Sequence, residues 1–219
     1  MVAKNTTMAK KKIIQLPKGY LSFSQISLWQ TDKERYKDIY FNNRDDLRVS
    51  NSAMDFGKMV ADALENEDRV DDLLTDTAMS LLTKYDIRDK EIRTTLKTKD
   101  GDIDLLGKPD TMDSKSFAFR EYKTGKVKWT QRRAQENLQV KFYAMIIYIA
   151  HGKLLKEAYL DWIETENTPE GIKPTGHVES FRITLSLNDI LQTMALTSKI
   201  AKEIEMAWVT YVPPPLIPF

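Results

Sequence analysis

The sequence predicts an α/β (α+β) fold in which a central mixed β-sheet is flanked by helices. Three observations predict it. Apolar residues recur at helical spacing in the first part of the chain, the period becomes that of strands between Ile92 and Lys123, and a long apolar helix then separates this group from a second pair of strands. The order is helix, helix, three strands, helix, two strands, helix, which is that of a layered domain.

Residues 1–20 read as a flexible basic N-terminal arm, because Lys4, Lys10, Lys11, Lys12 and Lys18 face no acid there. A single domain is expected over 21–212. Ser22 and Ser24 are candidate N-caps for a helix with Ile26, Trp29, Tyr36 and Tyr40 at its apolar positions. The segment from Ser52 is also helical in pattern, with Phe56, Val60 and Leu64 four apart and a break near the charged run from Glu65 to Asp72. The runs RTTLKT, DIDLLGKPD and SFAFREYK, with turns at Asp100-Gly101 and near Asp113-Ser114, read as an antiparallel meander. RRAQENLQVKFYAMIIYIAHG makes a long helix stopped by Gly152. AYLDWIET and HVESFRITL are strands joined by the loop ENTPEGIKPTG, and Ser186 or Asn188 caps a last helix reaching about Tyr211. A proline-rich tail, 213–219, comes last.

Composition narrows the chemistry. There is no cysteine, which excludes disulfides, zinc-thiolate sites and iron-sulphur clusters and fits a reducing cytoplasm. The longest apolar run, AMIIYIA, is too short to span a bilayer, so a soluble, cytoplasmic protein with no membrane partner is expected. Net charge is +1, and with the arm set aside the body is mildly acidic. Binding of nucleic acid through bulk charge is therefore not expected. Locally, Arg120, Lys123, Lys126, Lys128, Arg132 and Arg133 face only Glu121, and an anionic substrate would sit there.

The stretch GKPDTMDSKSFAFREYKTGK, 107–126, puts acids and a lysine on strands that are otherwise apolar. Residues two apart in a strand share a face, so Glu121 and Lys123 project together while Tyr122 points away. Pro109 cannot donate to a ladder and should end the preceding strand, leaving Asp110 at its tip to converge on Glu121. Two carboxylates meeting at one point become favourable with Mg2+ or Mn2+ between them, and a nearby lysine can orient a metal-bound water. By themselves these residues fit equally a surface Glu-Lys pair beside an unrelated aspartate. In the next helix, Gln135, Gln139 and Tyr143 form a polar stripe.

Five ordered blocks, LSFSQISLWQTDKERYKDIYF, FGKMVADALE, GKPD, EYKTGK and QVKFYA, make the chain resemble the PD-(D/E)XK nuclease superfamily, in particular its RecB-type and phage exonuclease branch. The resemblance covers about 21–165 and implies a restriction-endonuclease-like core. It implies that Asp110 and Glu121 bind Mg2+ or Mn2+, that the Tyr122 carbonyl adds a ligand, that Lys123 serves the nucleophilic water, and that Gln139 and Tyr143 position DNA or the lysine. One block departs from the family: many relatives carry Gly-x-x-x-His in the early helix, whereas Gly57 is followed by Ala61. Glu65, one turn on, is the leading replacement ligand, with Asp62 adjacent.

The expectation is thus a metal-dependent deoxyribonuclease, an exonuclease of DNA recombination, repair or phage replication. Lys126, Lys128, Arg132 and Arg133 would contact DNA, and Trp129 among them could stack on a splayed base. A non-catalytic DNA-binding module and a structure-selective endonuclease are the alternatives. His151 and His177 have no spacing suited to zinc. The terminal Ile217-Pro218-Phe219 resembles the end of bacterial single-stranded DNA-binding proteins, so a protein partner or packing on its own domain is open for the tail. Oligomeric state is left open.

Overall fold

The computed structural model describes residues 12–48, 85–88 and 90–212. The helical segment read from Ser52, with Gly57, Ala61, Asp62 and Glu65, lies outside the described residues, as do residues 1–11 and the tail 213–219. The described elements are β1 (Leu21–Ser22), α1 (Phe23–Thr31), α2 (Lys33–Tyr40), β2 (Ile87–Arg88), β3 (Ile92–Lys97), β4 (Asp102–Gly107), β5 (Thr111–Met112), β6 (Phe119–Gly125), α3 (Gln131–Gln135), α4 (Leu138–His151), β7 (Glu157–Thr168), β8 (Gly171–Thr184) and α5 (Leu187–Val209). None of the described helices is long and apolar enough to cross a membrane.

The fold is mixed α+β, as expected, but its strands form two mixed sheets rather than one. The smaller has the order β1-β4-β3, with β1 parallel to β4; the larger has the order β2-β5-β6-β7-β8, with β6 parallel to β7 and its other neighbours antiparallel. Parallel neighbours need a long crossover, and α4 supplies it. The three-strand meander is therefore corrected. Pro109 lies just past the end of β4, the chain changes sheets there, and only Thr111–Met112 joins β6. α4 is apolar on most sides, with Val140, Phe142 and Ala144 to Ile147 buried against both sheets and α5.

Polar side chains set several boundaries differently from the hydrophobic period. The helix read from Leu21 to Phe41 breaks at Asp32, whose φ of −155° is not helical and whose carboxylate accepts from Arg35 N at 3.0 Å to start α2. The helix read from Arg132 breaks likewise, because Asn137 Oδ1 accepts from Val140 N at 3.0 Å and opens α4. The loop read between the last two strands shrinks to Pro169 and Glu170, since both strands run through it as a long hairpin. Gly152 ends α4 in the left-handed conformation, φ 66°, and Ser186 with Asp189 forms a capping box on α5.

Residues 12–20, expected in the mobile arm, instead form a strap on the body. Ile14 and Leu16 are buried, Ile14 N donates to Asp102 O at 2.9 Å, and Lys12 Nζ and Gln15 N donate to the Glu205 carboxylate of α5 at 2.9 and 3.0 Å. The lysines around Ile13, Ile14 and Leu16 conceal this apolar run. At the other sheet edge, Gln131 Nε2 donates to Arg182 O at 2.6 Å, and Gln135 both donates to Thr184 O and accepts from Thr184 N. Two glutamine side chains thus continue the ladder of β8.

Gly107 sets how closely helix and sheet can pack. A Cβ there would lie 2.8 Å from Ile146 Cδ1 and 3.2 Å from Tyr143 Cδ1, so its absence lets α4 approach the end of β4. Gly107→Ala is expected to destabilise the protein by about 1–3 kcal/mol, the range for overpacking a filled core. Urea unfolding of the two proteins measures this, and equal midpoints would show that the helix yields without penalty.

Candidate active site

β6 presents its side chains to two different environments. Phe119, Glu121 and Lys123 face α4, while Arg120, Tyr122 and Thr124 face the other way, as strand alternation requires. Glu121 is 3% exposed. Its Oε1 accepts from Lys123 Nζ at 2.7 Å and from Gln139 Nε2 at 2.5 Å. Lys123 Nζ also donates to Gln139 Oε1 at 2.8 Å, closing a triangle, and Gln139 Nε2 reaches the Tyr143 hydroxyl at 3.0 Å. The polar stripe on α4 therefore has a partner, and that partner is the strand Glu-Lys pair rather than solvent. Gln135 belongs elsewhere, at the β8 edge on α3.

Asp110 lies in the bend between β4 and β5, and its Oδ2 accepts from Tyr122 N at 2.6 Å. This bond holds the aspartate beside Glu121. Burial pushes the Asp110 carboxyl up to about 7, with the charge of Glu121 acting in the same direction. Burial likewise raises Glu121, against the lowering effect of Lys123, and raises the Tyr143 phenol. Glu121 Oε2 is buried with no donor among the described residues. A buried carboxylate oxygen without a donor, next to a second carboxyl that resists ionising, is a site short of positive charge. Hard oxygen donors of this type fit a divalent cation that keeps several of its waters. Among the described residues no group of three potential metal ligands occurs. Glu65 lies outside them.

The expected basic cluster divides by role. Arg120 leaves it: the guanidinium is buried, with Nη1 donating to both Asp161 oxygens at 2.7 and 2.8 Å and the plane stacked over Tyr159 at 4.4 Å. The alternation that brings Glu121 and Lys123 together turns Arg120 to the opposite face. Lys126 and Lys128 are exposed on the loop after β6, Lys128 lying 3.8 Å from Glu179. Arg132 pairs with Glu136 at 3.0 Å, and Arg133 lies over the half-buried Trp129 ring at 4.0 Å. His151 stacks on Phe117 and His177 is exposed beside Glu179, both away from the acids.

The motifs do not reveal the neighbouring cleft. A cavity of about 280 Å³ opens against Gln139 and Tyr143, and Lys18, Tyr20, Arg48 and Lys108 line it. Lys108, inside GKPD, and Ser22 to Gln25, inside the first block, line it and were the available signals. Lys18 and Arg48 come from segments with no pattern linking them to the strands.

No protein family matches the chain, and no curated protein matches it. Among solved structures, the chain is similar to a protein of Eubacterium rectale provisionally named an exonuclease, with TM-score 0.56 and 13% identity, covering 92% of this chain and 91% of that one. SSO0001 is also similar, with TM-score 0.48 and 11% identity, covering 84% of this chain and 76% of that one. At these identities the likeness to the Eubacterium rectale protein is one of fold.

Both carboxyls hold protons more tightly in the folded protein than in the unfolded chain. The native state then binds more protons, and stability present below the ordinary carboxylate range is lost as pH rises toward about 7. Thermal unfolding without divalent ions from about pH 4 to 8 is expected to show this fall, flattened in Asp110→Asn. Parallel profiles for wild type and variant would remove Asp110 as its source.

Proposed function

We propose that the chain is a Mg2+- or Mn2+-dependent deoxyribonuclease that hydrolyses phosphodiester bonds, most simply as an exonuclease. The observation that carries the reading is the Glu121 carboxylate: one oxygen is held by Lys123 and Gln139, and the other is buried beside Asp110 without a donor among the described residues. Asp110 and Glu121 would hold the cation, joined by the Tyr122 carbonyl and by Glu65. Bound there, the metal would polarise a phosphoryl oxygen and make a coordinated water more acidic.

The chain's own groups supply the rest. Lys123 Nζ, fixed between Glu121 and Gln139, sits where it can hold an attacking water by hydrogen bond and offset charge developing on the phosphate. Gln139 keeps the lysine in place and is itself tied to Tyr143, so the two helix residues orient the strand pair. Lys126, Lys128, Arg132 and Arg133 lie on the loop and helix after β6 and would contact the DNA backbone. The similarity to the Eubacterium rectale protein, provisionally named an exonuclease, agrees with this reading. A non-catalytic DNA-binding module on the same fold is the second reading, favoured by the presence of only two acids at the site among the described residues.

Glu121→Ala and Lys123→Ala are each expected to lower cleavage of end-labelled linear DNA in Mn2+ by about 10²-fold or more, with circular dichroism unchanged. Closed circular DNA should be cut far more slowly than linear DNA. Equal turnover in wild type and both variants would exclude this site, and rapid nicking of circles would make the enzyme an endonuclease.

A further inference from the structure

The cleft beside Gln139 and Tyr143 is walled partly by a segment that the catalytic motifs do not contain. Lys18 and Tyr20 come from the strap, Arg48 from the residues after α2, and Lys108 from the bend that carries Asp110. Three cationic side chains from three distant parts of the chain converge on one concavity. Tyr20 and Tyr40 contribute aromatic surface to the same walls. Arg48 is itself oriented, its Nε donating to Asp45 at 2.9 Å and its guanidinium lying over Tyr40 at 5.0 Å.

The strap is held by its backbone to β4, with Ile14 N donating to Asp102 O and Asp102 N to Lys12 O at 2.9 and 2.8 Å. A second, side-chain anchor is Glu205 of α5, which is 9% exposed and takes two hydrogen bonds, from Lys12 Nζ and Gln15 N. Ile14 and Leu16 pack into the core between that anchor and Lys18. Ordering these residues opposes chain entropy, and the buried apolar pair with the Glu205 hydrogen bonds offsets it. Fixed cations beside rigid aromatic walls make a site for a flexible polyanion with flat faces. Its volume of about 280 Å³, just below the roughly 300–1,000 Å³ common for small-ligand sites, is on the scale of one nucleotide rather than a duplex.

We infer that this cleft binds a single DNA strand one nucleotide deep, with a backbone phosphate held by Lys18, Lys108 and Arg48, and that Glu205 is a positioning residue acting through the strap. The inference rests on the nuclease reading for the kind of strand, since the cleft shares Gln139 and Tyr143 with the acid site.

The test is fluorescence anisotropy of a labelled oligo-dT strand in EDTA over a series of NaCl concentrations. Lys18→Ala should weaken binding about 3- to 10-fold, and Lys18→Ala with Lys108→Ala should flatten the logarithmic salt dependence by about 0.7 for each phosphate no longer neutralised. Lys18→Arg should restore binding. Glu205→Gln should weaken it without altering the charge of the cleft, whereas Lys153→Ala, beyond the far end of α4, should not. An unchanged Kd and salt slope in the double variant, in a protein of wild-type melting temperature, would overturn the assignment. Displacement by inorganic phosphate as effective, per phosphate, as displacement by unlabelled strand would reassign the cleft to free phosphate. Wild type that binds the strand in this way yet cleaves nothing in any divalent metal would overturn the nuclease reading and leave the cleft standing. Cleavage with unmoved KM in the double variant would overturn the cleft alone.

Discussion

The Glu121 carboxylate sits inside β6, with two donors on one oxygen and, among the described residues, none on the other, and a charge in that position must be held from several directions at once. Lys123 reaches it along the strand, Gln139 descends from α4, and Asp110 approaches from the bend before β5. Each requires a separate piece of backbone to lie close. Gly107 lets α4 come down, Pro109 ends β4 so that the chain changes sheets, and the Tyr122 amide fixes Asp110. The packing of helix on sheet is thereby tied to the geometry of a few polar atoms, and a change in one moves the others.

The reverse face of the same strand carries a second solution to burying charge. Arg120 on β6 lies diagonally across from Asp161 on β7 and forms an ion pair with it, Nη1 donating to both carboxylate oxygens and to Ser180, with the guanidinium over Tyr159. Both Asp161 carboxylate oxygens have donors, while the Arg120 Nε is buried without a partner among the described residues. On the Glu121 side one carboxylate oxygen has no donor among the described residues. The contrast is between a buried carboxylate with donors on both oxygens, Asp161, and one with donors on a single oxygen among the described residues, Glu121, on two adjacent strands.

Much of the site was legible because strand alternation is a strong constraint. Glu121 and Lys123 had to share a face, and Gln139 and Tyr143 had to share another. Their meeting follows once α4 is placed over β6. The mixed fold was legible from the switch in hydrophobic period, and Gly152 and Ser186 marked helix ends through their own chemistry. What escaped was information carried by single side chains or by distant segments. Asp32 and Asn137 cap helices within runs whose apolar spacing continues through them, so period alone fuses the elements. The Ile14–Leu16 run is masked by flanking lysines, and its docking on Glu205 joins two ends of the chain. Arg120 looked like part of a basic patch because charge counting ignores which face a residue occupies.

The strap and the acid site differ in a way that bears on how the molecule assembles. Glu121, Lys123, Gln139 and Tyr143 lie within one β-α-β segment, their bonds closing loops of 16 and 18 residues, whereas Lys12 and Glu205 are 193 apart. Short loops close at lower entropic cost and sooner than long ones. During synthesis the polar triangle has its parts as soon as α4 has emerged behind β6, and the strap can meet Asp102 of β4 early, but its Glu205 hydrogen bonds wait for α5 to be made. A chain interrupted before Glu205 would keep the polar triangle and the strap's contact with β4 but lack the strap's tie to α5.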